Sequence, residues 1–357
     1  MTDGGHADAS AAVATPAIRF TALYSSIGRS LDTFCAIDSQ RRSVCWNDDH
    51  WSNRVSAPAI SAQRAAVEFT GGRPIAVTSA SIEFVSWHLG QSPGDVDSPT
   101  MSAQQLGLGD VIGAFEADAS VLAWATDGRW ALVNLGWRFT NDSLPRARRA
   151  RGAARLWPGS SRLRVRAMAM SANDVCAIEG DDLNCWPRTD PNDLFPGRLS
   201  RRVHALRLPA PPQQLAASDS TFCARTTRGV FCWGDGRAGT LGNGACSSST
   251  VPVEVRGLPS GIVDVVGRRG YFCAIDGQQR AWCWGSLGCS TDPRRSGCRV
   301  SAATPMHDDR LGSARSIAIG CFTTCALQSD GSIRCAVGYV PRSRFEQASE
   351  VLVIRPP

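Results

Sequence analysis

Cysteine spacing is the feature of this 357-residue chain that most restricts its fold. Ten of its 14 cysteines stand in pairs nine or ten residues apart. Zinc ligands usually come two to four residues apart, so wide and regular pairs favour disulfides, which persist in oxidising compartments. The predicted pairs are Cys35 with Cys45, Cys176 with Cys185, Cys223 with Cys232, Cys273 with Cys283, and Cys325 with Cys335. We therefore expect a disulfide-bonded protein; a cytosolic chain with buried reduced thiols is the alternative.

The other four cysteines do not belong to these five repeated pairs. Cys289 and Cys298 bracket a proline-containing segment and are predicted to form a sixth disulfide. Cys246 and Cys321 either join neighbouring repeats or remain unpaired, and the sequence leaves both interpretations open.

Localisation is predicted from the disulfides as extracellular, periplasmic or at the cell surface. The N-terminal stretch "MTDGGHADASAAVATPAIRF" lacks the basic start and apolar run of an export signal, so we expect that signal to be trimmed or to lie outside this chain. A run of 18 apolar residues does not occur, and no membrane-spanning helix is predicted.

The paired cysteines mark an internal repeat with a period near 50 residues. Two further copies lack cysteine: one places Ala76 and Ser86 at the paired positions, and the other places Leu122 and Leu132 there. The first paired positions are then residues 35, 76, 122, 176, 223, 273 and 325. The chain is therefore predicted to contain seven units of 41 to 54 residues.

Each unit has the pattern of short β-strands broken by turn residues. The sequences Ser329-Asp330-Gly331 and Thr126-Asp127-Gly128 stand midway between paired positions. A glycine at the third place of a three-residue loop fits a hairpin turn that needs positive φ. The paired positions are therefore predicted to face each other across two antiparallel strands, within disulfide range.

Seven such units can bury their faces against one another in a ring, so the predicted fold is an all-β, seven-bladed β-propeller. A tryptophan recurs after the second paired position and is predicted to pack between adjacent blades: Trp46, Trp87, Trp186, Trp233 and Trp284. The predicted organisation is a tail at 1–16 and one propeller at 17–357, with blades at about 17–62, 63–112, 113–162, 163–210, 211–260, 261–312 and 313–357. The strand at Val351 is predicted to complete the last repeat and to meet the first at one seam.

Chemistry-bearing motifs are scarce. Gly234, Gly236 and Gly239 form G-x-G-x-x-G, the spacing of a dinucleotide-binding loop, but no helical pattern follows and no βαβ unit is closed. All 38 Lys or Arg positions hold arginine, which excludes phosphate-loop and Schiff-base lysines. We therefore predict no cofactor, no metal site and no enzymatic activity; a hydrolase or lyase in the central funnel of the propeller is an alternative.

The repeat resembles a known family. "WGDGRAGTLGNG" at Trp233, "QQLGLGD" at Gln104 and "FCAIDGQQRAWCWG" at Phe272 are similar to the repeat signature of the regulator-of-chromosome-condensation family. The resemblance implies a seven-bladed propeller over about 17–357, and the paired cysteines resemble an exported bacterial branch. The eukaryotic founder is a nucleotide-exchange factor that binds chromatin, and a secreted soil-bacterial member covers the active site of β-lactamases. The resemblance therefore implies that this chain binds another macromolecule.

The predicted binding face is the one that carries the long connection of each unit, at 47–57, 88–110, 134–158, 187–201, 234–250, 285–305 and 338–349. Arginine and tryptophan are enriched at interaction hot spots. Residues of these types on the long connections are the candidate partner-binding residues: Arg146, Arg148, Arg149, Arg151, Trp51, Trp137 and Trp157. The alternatives are that the arginine-rich stretch from Pro145 to Arg166 is a solvated insertion and that Trp51 and Trp137 pack under their own loops.

The predicted partner is a protein or an acidic polymer at the envelope or outside the cell. Nucleic acid fits export poorly, and no base-stacking platform is recognised. A purely architectural repeat within a surface assembly is a further alternative, and the oligomeric state is left open.

Overall fold

The structure is a computed structural model and describes part of the chain. The described residues are 18–27, 31–40, 43–49, 54–55, 59–61, 67–68, 75–77, 81–84, 100–104, 107–117, 120–134, 155–156, 165–171, 174–187, 204–268, 270–285, 303–320, 323–337 and 351–355. Within them the regular structure is β-strand, apart from a short 3₁₀ turn at Asp309–Leu311. The predicted all-β class is confirmed.

The described strands form seven sheets, numbered here in chain order. Sheet 1 contains β1 (Phe20–Ile27), β2 (Leu31–Asp38), β3 (Ser43–Asp49), β4 (Arg54–Val55) and β5 (Ala59–Ser61); sheet 2 contains β6 (Val67–Glu68), β7 (Ile75–Val77), β8 (Ser81–Phe84) and β9 (Thr100–Ser102). Sheet 3 contains β10 (Val111–Ala117), β11 (Ser120–Ala125), β12 (Trp130–Asn134) and β13 (Arg155–Leu156); sheet 4 contains β14 (Val165–Met170), β15 (Asp174–Glu179), β16 (Asp182–Pro187) and β17 (His204–Leu206). Sheet 5 contains β18 (Pro212–Ala217), β19 (Thr221–Thr226), β20 (Gly229–Gly234) and β21 (Ser249–Glu254). Sheet 6 contains β22 (Ile262–Arg268), β23 (Tyr271–Asp276), β24 (Ala281–Gly285) and β25 (Met306–His307); sheet 7 contains β26 (Ala314–Ile319), β27 (Thr323–Gln328), β28 (Ile333–Val337) and β29 (Val351–Ile354).

Six sheets are antiparallel meanders of strands that follow one another in the chain; in sheet 1, β1 to β4 form such a meander and β5 also pairs with β3. In such a meander, the turn between strands one and two and the connection between strands three and four leave the sheet at the same end. We call that end the long-loop face. The hairpin turn between strands two and three lies at the opposite end, which we call the hairpin-turn face. First strands of neighbouring sheets contact one another from sheet 3 to sheet 7, and β26 of sheet 7 contacts β1 of sheet 1.

The paired cysteines face each other across strands two and three, as predicted. Disulfides join Cys176 to Cys185, Cys223 to Cys232, Cys273 to Cys283 and Cys325 to Cys335, with Cα atoms 4.0 to 4.1 Å apart. Cys35 is also disulfide-bonded, and Cys45 lies opposite it in the register of β2 and β3. Cys289 and Cys298 lie outside the described residues.

The two units without cysteine differ in how well their register was predicted. Leu122 lies opposite Leu132, as expected. The prediction for the second unit is wrong, because Ala76 lies opposite Glu83 and not opposite Ser86. The turn of this hairpin is three residues shorter than in the units whose cysteines stand ten apart. Without a cysteine or an Asp-Gly turn to fix the spacing, the alignment was open to this shift.

Glycine closes two hairpin turns as predicted. Gly128 has φ of 79° and donates its N–H to the carbonyl of Ala125, and Gly331 has φ of 82° and donates to the carbonyl of Gln328. A residue with a side chain is strained in this left-handed region. Glycine at these two positions therefore fixes the turn.

Three of the five recurring tryptophans pack between sheets, which confirms the prediction for them. Trp46 lies in a buried cluster built from sheets 1 and 7, Trp233 in one from sheets 4 and 5, and Trp284 in one from sheets 5 and 6. Each stacks on a phenylalanine directly opposite on strand two, namely Phe34, Phe222 and Phe272, with ring centroids 5.7 to 5.8 Å apart. Trp186 is also buried, and Trp87 lies outside the described residues.

The two ends of the propeller region meet at one seam, as predicted. The strand β29 completes sheet 7, and sheet 7 packs against sheet 1 through a shared cluster that includes Phe20 and Ile354. The N–H of Phe20 donates to the carbonyl of Gly331 at 3.0 Å, and the hydroxyl of Ser25 donates to the carbonyl of Ile319 at 2.7 Å. Hydrogen bonds and apolar packing therefore both close this seam.

A β-bulge recurs near the start of the first strand in six sheets. The extra residue of each bulge is left out of the ladder, and a bulge of this kind re-aims a side chain. The bulge residues are Thr21, Ile112, Arg166, Gln213, Val263 and Arg315. All of them except Ile112, whose side chain is not described, are at least partly exposed.

Candidate binding face

The long-loop face is described in detail at residues 234–250, which connect strands three and four of sheet 5. The candidate partner-binding residues of the other connections lie outside the described residues: Arg146, Arg148, Arg149, Arg151, Trp51, Trp137 and Trp157. Their role therefore remains a prediction.

The glycines of the G-x-G-x-x-G stretch allow close packing of protein backbone. A Cβ atom on Gly236 would overlap the carbonyl oxygen of Ser247, and one on Gly239 would lie 2.8 Å from the Cα of Ala303. Both distances are shorter than a Cβ atom can adopt to a non-bonded atom. The segment turns back to β21 through bends and turns, and no helix follows. The glycine spacing thus has a packing explanation.

This glycine-rich loop is attached to the neighbouring sheet. The indole N–H of Trp284 donates to the carbonyl of Thr240 at 2.9 Å, and the N–H of Gly244 donates to the carbonyl of Ala303 at 2.8 Å. Within its own sheet, the N–H of Arg256 donates to the carbonyl of Gly242 at 2.9 Å. The middle of the loop is therefore held by three hydrogen bonds, and the N–H of Asp235 near its start donates to the carbonyl of Ser220 at 2.9 Å. Side chains on it are presented from a fixed backbone.

A charged side chain is presented on this fixed loop. Arg237 is 76% exposed and forms an ion pair with Asp235 at 2.6 Å. Hydrogen bonds from Arg237 lower the pKa of the Asp235 carboxyl, and a further one from Ser248 acts in the same direction. The carboxylate therefore stays ionised and orients the guanidinium, whose outer edge faces solvent.

The inner rim of the same face is formed by the turns between strands one and two. The guanidinium of Arg268, at the end of β22, donates to the carbonyl of Ser25 on β1 at 2.7 Å, reaching from sheet 6 to sheet 1. The hydroxyl of Ser218 accepts from the N–H of Gly270, which joins sheets 5 and 6. These two bonds link sheet 6 to sheet 1 and to sheet 5.

Disulfide bonding also involves the glycine-rich loop. Cys246 is disulfide-bonded. The eight cysteines of the four within-sheet bridges are bonded to each other, and Cys35 faces Cys45, so the partner of Cys246 is Cys289, Cys298 or Cys321. This result decides between the two interpretations that the sequence left open for Cys246.

The titratable groups of the described part do not form a metal centre. No group of three or more His, Cys, Asp or Glu side chains within the described ranges could hold a metal ion. Within the part of the chain that the structure describes, no helix has the length and apolar character to span a membrane.

A family model decides what kind of repeat this is. Residues 229–274, from β20 through the glycine-rich loop to β23, match the Regulator of chromosome condensation (RCC1) repeat. The chain contains an RCC1 repeat. No curated protein matches the chain by sequence.

Solved structures agree with the RCC1 repeat. Human WBSCR16 is 13% identical, with a TM-score of 0.56 over 85% of this chain and 84% of that one. Prp20p from Saccharomyces cerevisiae is 14% identical, with a TM-score of 0.53 over 94% and 77%. The CRINKLY WD40 ectodomain of the Arabidopsis thaliana receptor kinase ACR4 is 15% identical, with a TM-score of 0.50 over 91% and 98%. The chain therefore has an RCC1-like β-propeller fold; its seven-blade count stays a prediction.

Three features of this architecture were missed from sequence. The phenylalanine of each "FCA" motif was quoted as part of the repeat, but its stacking on the recurring tryptophan was not predicted. The shared position of Phe34, Phe222 and Phe272, one residue before the first cysteine, was the available signal. The bulges and the hydrogen bond from Arg268 to Ser25 leave no comparable signal in the sequence, because the first depends on strand register and the second on a neighbouring sheet.

Proposed function

We propose that this chain is a binding propeller that docks a macromolecular partner on its long-loop face and has no catalytic role. The observation that carries the proposal is the loop at 234–250, in which Arg237 is exposed on a backbone fixed to the next sheet. Binding to a rigid surface loses less conformational freedom than binding to a mobile loop. A fixed arginine is therefore suited to a specific contact.

RCC1-like folds with named binding partners support this proposal. Prp20p has binding properties toward Gsp1p and histones, and the yeast RCC1 protein (Prp20) was crystallised bound to Kap60. The ACR4 domain is the ectodomain of a receptor kinase. We propose by analogy of fold that a protein is the partner here, with an acidic polymer as the other candidate.

We also propose that the chain acts in an oxidising compartment, outside the cell or at its surface. Four disulfides lie inside four successive sheets, and each closes a hairpin that is already paired by backbone hydrogen bonds. Bridges in that number are typical of secreted proteins. Non-reducing peptide mapping of protein taken from its native cell fraction tests this, and ten free thiols would contradict it.

The chain offers a matched pair of variants for the docking test. Arg237 on the long-loop face and Arg129 on the hairpin-turn face each pair at 2.6 Å with an aspartate two residues earlier. Arg237→Ala and Arg129→Ala therefore remove the same charge and the same kind of ion pair from opposite faces. Exposed ion pairs contribute little to stability, so neither change should alter folding.

Partner capture by the immobilised propeller from extracellular and envelope fractions is the assay. Arg237→Ala should reduce recovery of the captured partner, and the triple variant Arg148→Ala, Arg149→Ala, Trp157→Ala should reduce it by about tenfold or more. Arg129→Ala should leave recovery unchanged. Capture that survives both long-loop variants and is lost with Arg129→Ala would place the partner on the hairpin-turn face instead.

A further inference from the structure

The bulge residues on the hairpin-turn face include two arginines at equivalent positions. Arg166 lies between Val165, opposite Glu179, and Ala167; Arg315 lies between Ala314, opposite Gln328, and Ser316. The register is the same in both sheets. The two arginines therefore start from the same backbone geometry and can be compared directly.

Arg166 is used to join its sheet to the next one. Its guanidinium donates to the carbonyl of Gly180 at 2.5 Å in its own hairpin turn and to the carbonyl of Pro212 at 3.1 Å, where sheet 5 begins. Arg225 makes a similar contact further round the ring, with the carbonyl of Ile262 at 3.5 Å. Arginines on this face thus bind the backbone of the following sheet.

Arg315 does not make these bonds at the seam between sheets 7 and 1. The carbonyl of Gly331 at this seam accepts from the N–H of Phe20 instead. Within the described part of the chain, the guanidinium groups of Arg315 and of nearby Arg19 have no hydrogen bond or ion pair. Two exposed positive side chains without a described partner therefore lie at this seam.

A cleft separates these two arginines. It has a volume of about 340 Å³, and its polar lining consists of Arg19, Arg315, Thr21, Ser39, Gln40 and Ser329. Gly331 also lines it, and a Cβ there would lie 2.6 Å from the Cβ of Arg19, so the missing side chain lets Arg19 pack closely against this turn. We call it the seam cleft.

Asp330 and Asp38 are adjacent in sequence to residues that line the seam cleft, but their carboxylates accept hydrogen bonds elsewhere. Asp330 accepts from the N–H and the hydroxyl of Ser332 at 2.8 and 2.6 Å, and these bonds lower its pKa. Asp38 is 1% exposed and accepts from the N–H of Gln40 at 2.9 Å. Neither carboxylate lines the cleft, so the charge of the arginines is available to a ligand.

The donors of the seam cleft favour a tetrahedral oxyanion over a carboxylate. One guanidinium fork satisfies a planar carboxylate, whereas a phosphate or sulfate group offers oxygens in three dimensions and uses two forks. The Ser39 hydroxyl accepts from the N–H of Arg19 at 3.4 Å, which leaves its proton free to donate. The Gln40 amide adds two more N–H donors.

We propose that the seam cleft binds a phosphate or sulfate group of a small ligand, with Arg19 and Arg315 as its charged ligands. This site lies on the opposite face from the docking site proposed above and is independent of it. Because neither guanidinium bonds to the described part of the protein, the site can be emptied of charge without disturbing the fold.

Isothermal titration calorimetry at constant ionic strength tests the proposal, with inorganic phosphate, sulfate and acetate as separate probes and chloride as the compensating ion. Phosphate or sulfate should bind at one saturable site. The anion with the lower Kd indicates whether the ligand carries a phosphate or a sulfate group. Arg315→Gln and Arg19→Gln should each weaken binding by about tenfold or more. Arg129→Gln is the control, since it removes one charge from the same face and should change nothing.

Three results would overturn the proposal. The first is the absence of saturable binding by either tetrahedral anion. The second is acetate binding as tightly as phosphate and sulfate. The third is equal weakening by Arg129→Gln, which would reveal a general electrostatic attraction and no site.

Discussion

Trp284 and Trp46 occupy equivalent places between sheets but differ in one hydrogen bond. Both side chains are 1% exposed, and both stack on a phenylalanine. The indole N–H of Trp284 donates to the carbonyl of Thr240, whereas the indole nitrogen of Trp46 has no partner among the described residues. Replacing each by phenylalanine removes nearly the same apolar surface and isolates the effect of that bond.

The difference in stability follows from the bond. Trp284→Phe leaves the carbonyl of Thr240 buried without its donor, which costs about 1–3 kcal/mol, whereas Trp46→Phe removes a buried donor that is already unsatisfied. Trp284→Phe should therefore lower the free energy of unfolding by about 1–3 kcal/mol more than Trp46→Phe does. Loss of indole packing lowers it in both variants by a similar amount.

Denaturant titration with intact disulfides is the appropriate assay. For 357 residues, the unfolding entropy is about 0.75 kcal/mol per degree, so a difference of 1 kcal/mol shifts Tm by only about 1.3 °C. The midpoint in guanidinium, at an unchanged m-value, reports the difference more directly. Equal destabilisation by the two variants would refute the argument that this bond fastens the glycine-rich loop to sheet 6.

Three further predictions concern the seam, a buried acid and a disulfide. Deleting 350–357 removes β29 and the buried Ile354, so the melting temperature should fall sharply; a truncated chain that melts like the full one would contradict the pairing. Burial raises the pKa of Glu179, so the folded state holds its proton more tightly and loses stability as pH rises above the ordinary glutamate pKa. Glu179→Gln should reduce this loss in denaturant midpoints measured from pH 4 to 7, and an unchanged dependence of the midpoint on pH would contradict the prediction. Non-reducing peptide mapping should find Cys246 bonded to Cys321, because the predicted bond between Cys289 and Cys298 leaves Cys321 as the remaining partner; a bond from Cys246 to Cys289 or Cys298 would contradict this.

The sequence predicted those parts of the fold that depend on local spacing. Cysteines nine or ten residues apart predicted the register of strands two and three, and Gly331 predicted the position of the turn between those strands in sheet 7. The second unit has neither signal, and its register was misplaced by three residues. Spacing therefore predicted the register of two strands only where a disulfide or a turn glycine fixes how those strands pair.

The candidate sites were less predictable, because they depend on side chains from different sheets. The seam cleft brings Arg19 and Arg315 together from opposite ends of the chain, and no spacing rule relates them. The arginine-rich stretch from Pro145 to Arg166 attracted attention by composition, yet Arg166, its last member, serves to join sheets 4 and 5. Charge density along a sequence does not distinguish a binding arginine from a structural one.

The composition of the sheets bears on how such a protein can change over generations. Each sheet is built from one uninterrupted stretch of sequence, and among the described strands none is lent from one end of the chain to a sheet at the other. A duplication or deletion of one stretch thus adds or removes a whole sheet without re-pairing the others. New termini could likewise be opened between any two sheets, with the present ends joined across the seam, since every such junction separates complete pieces.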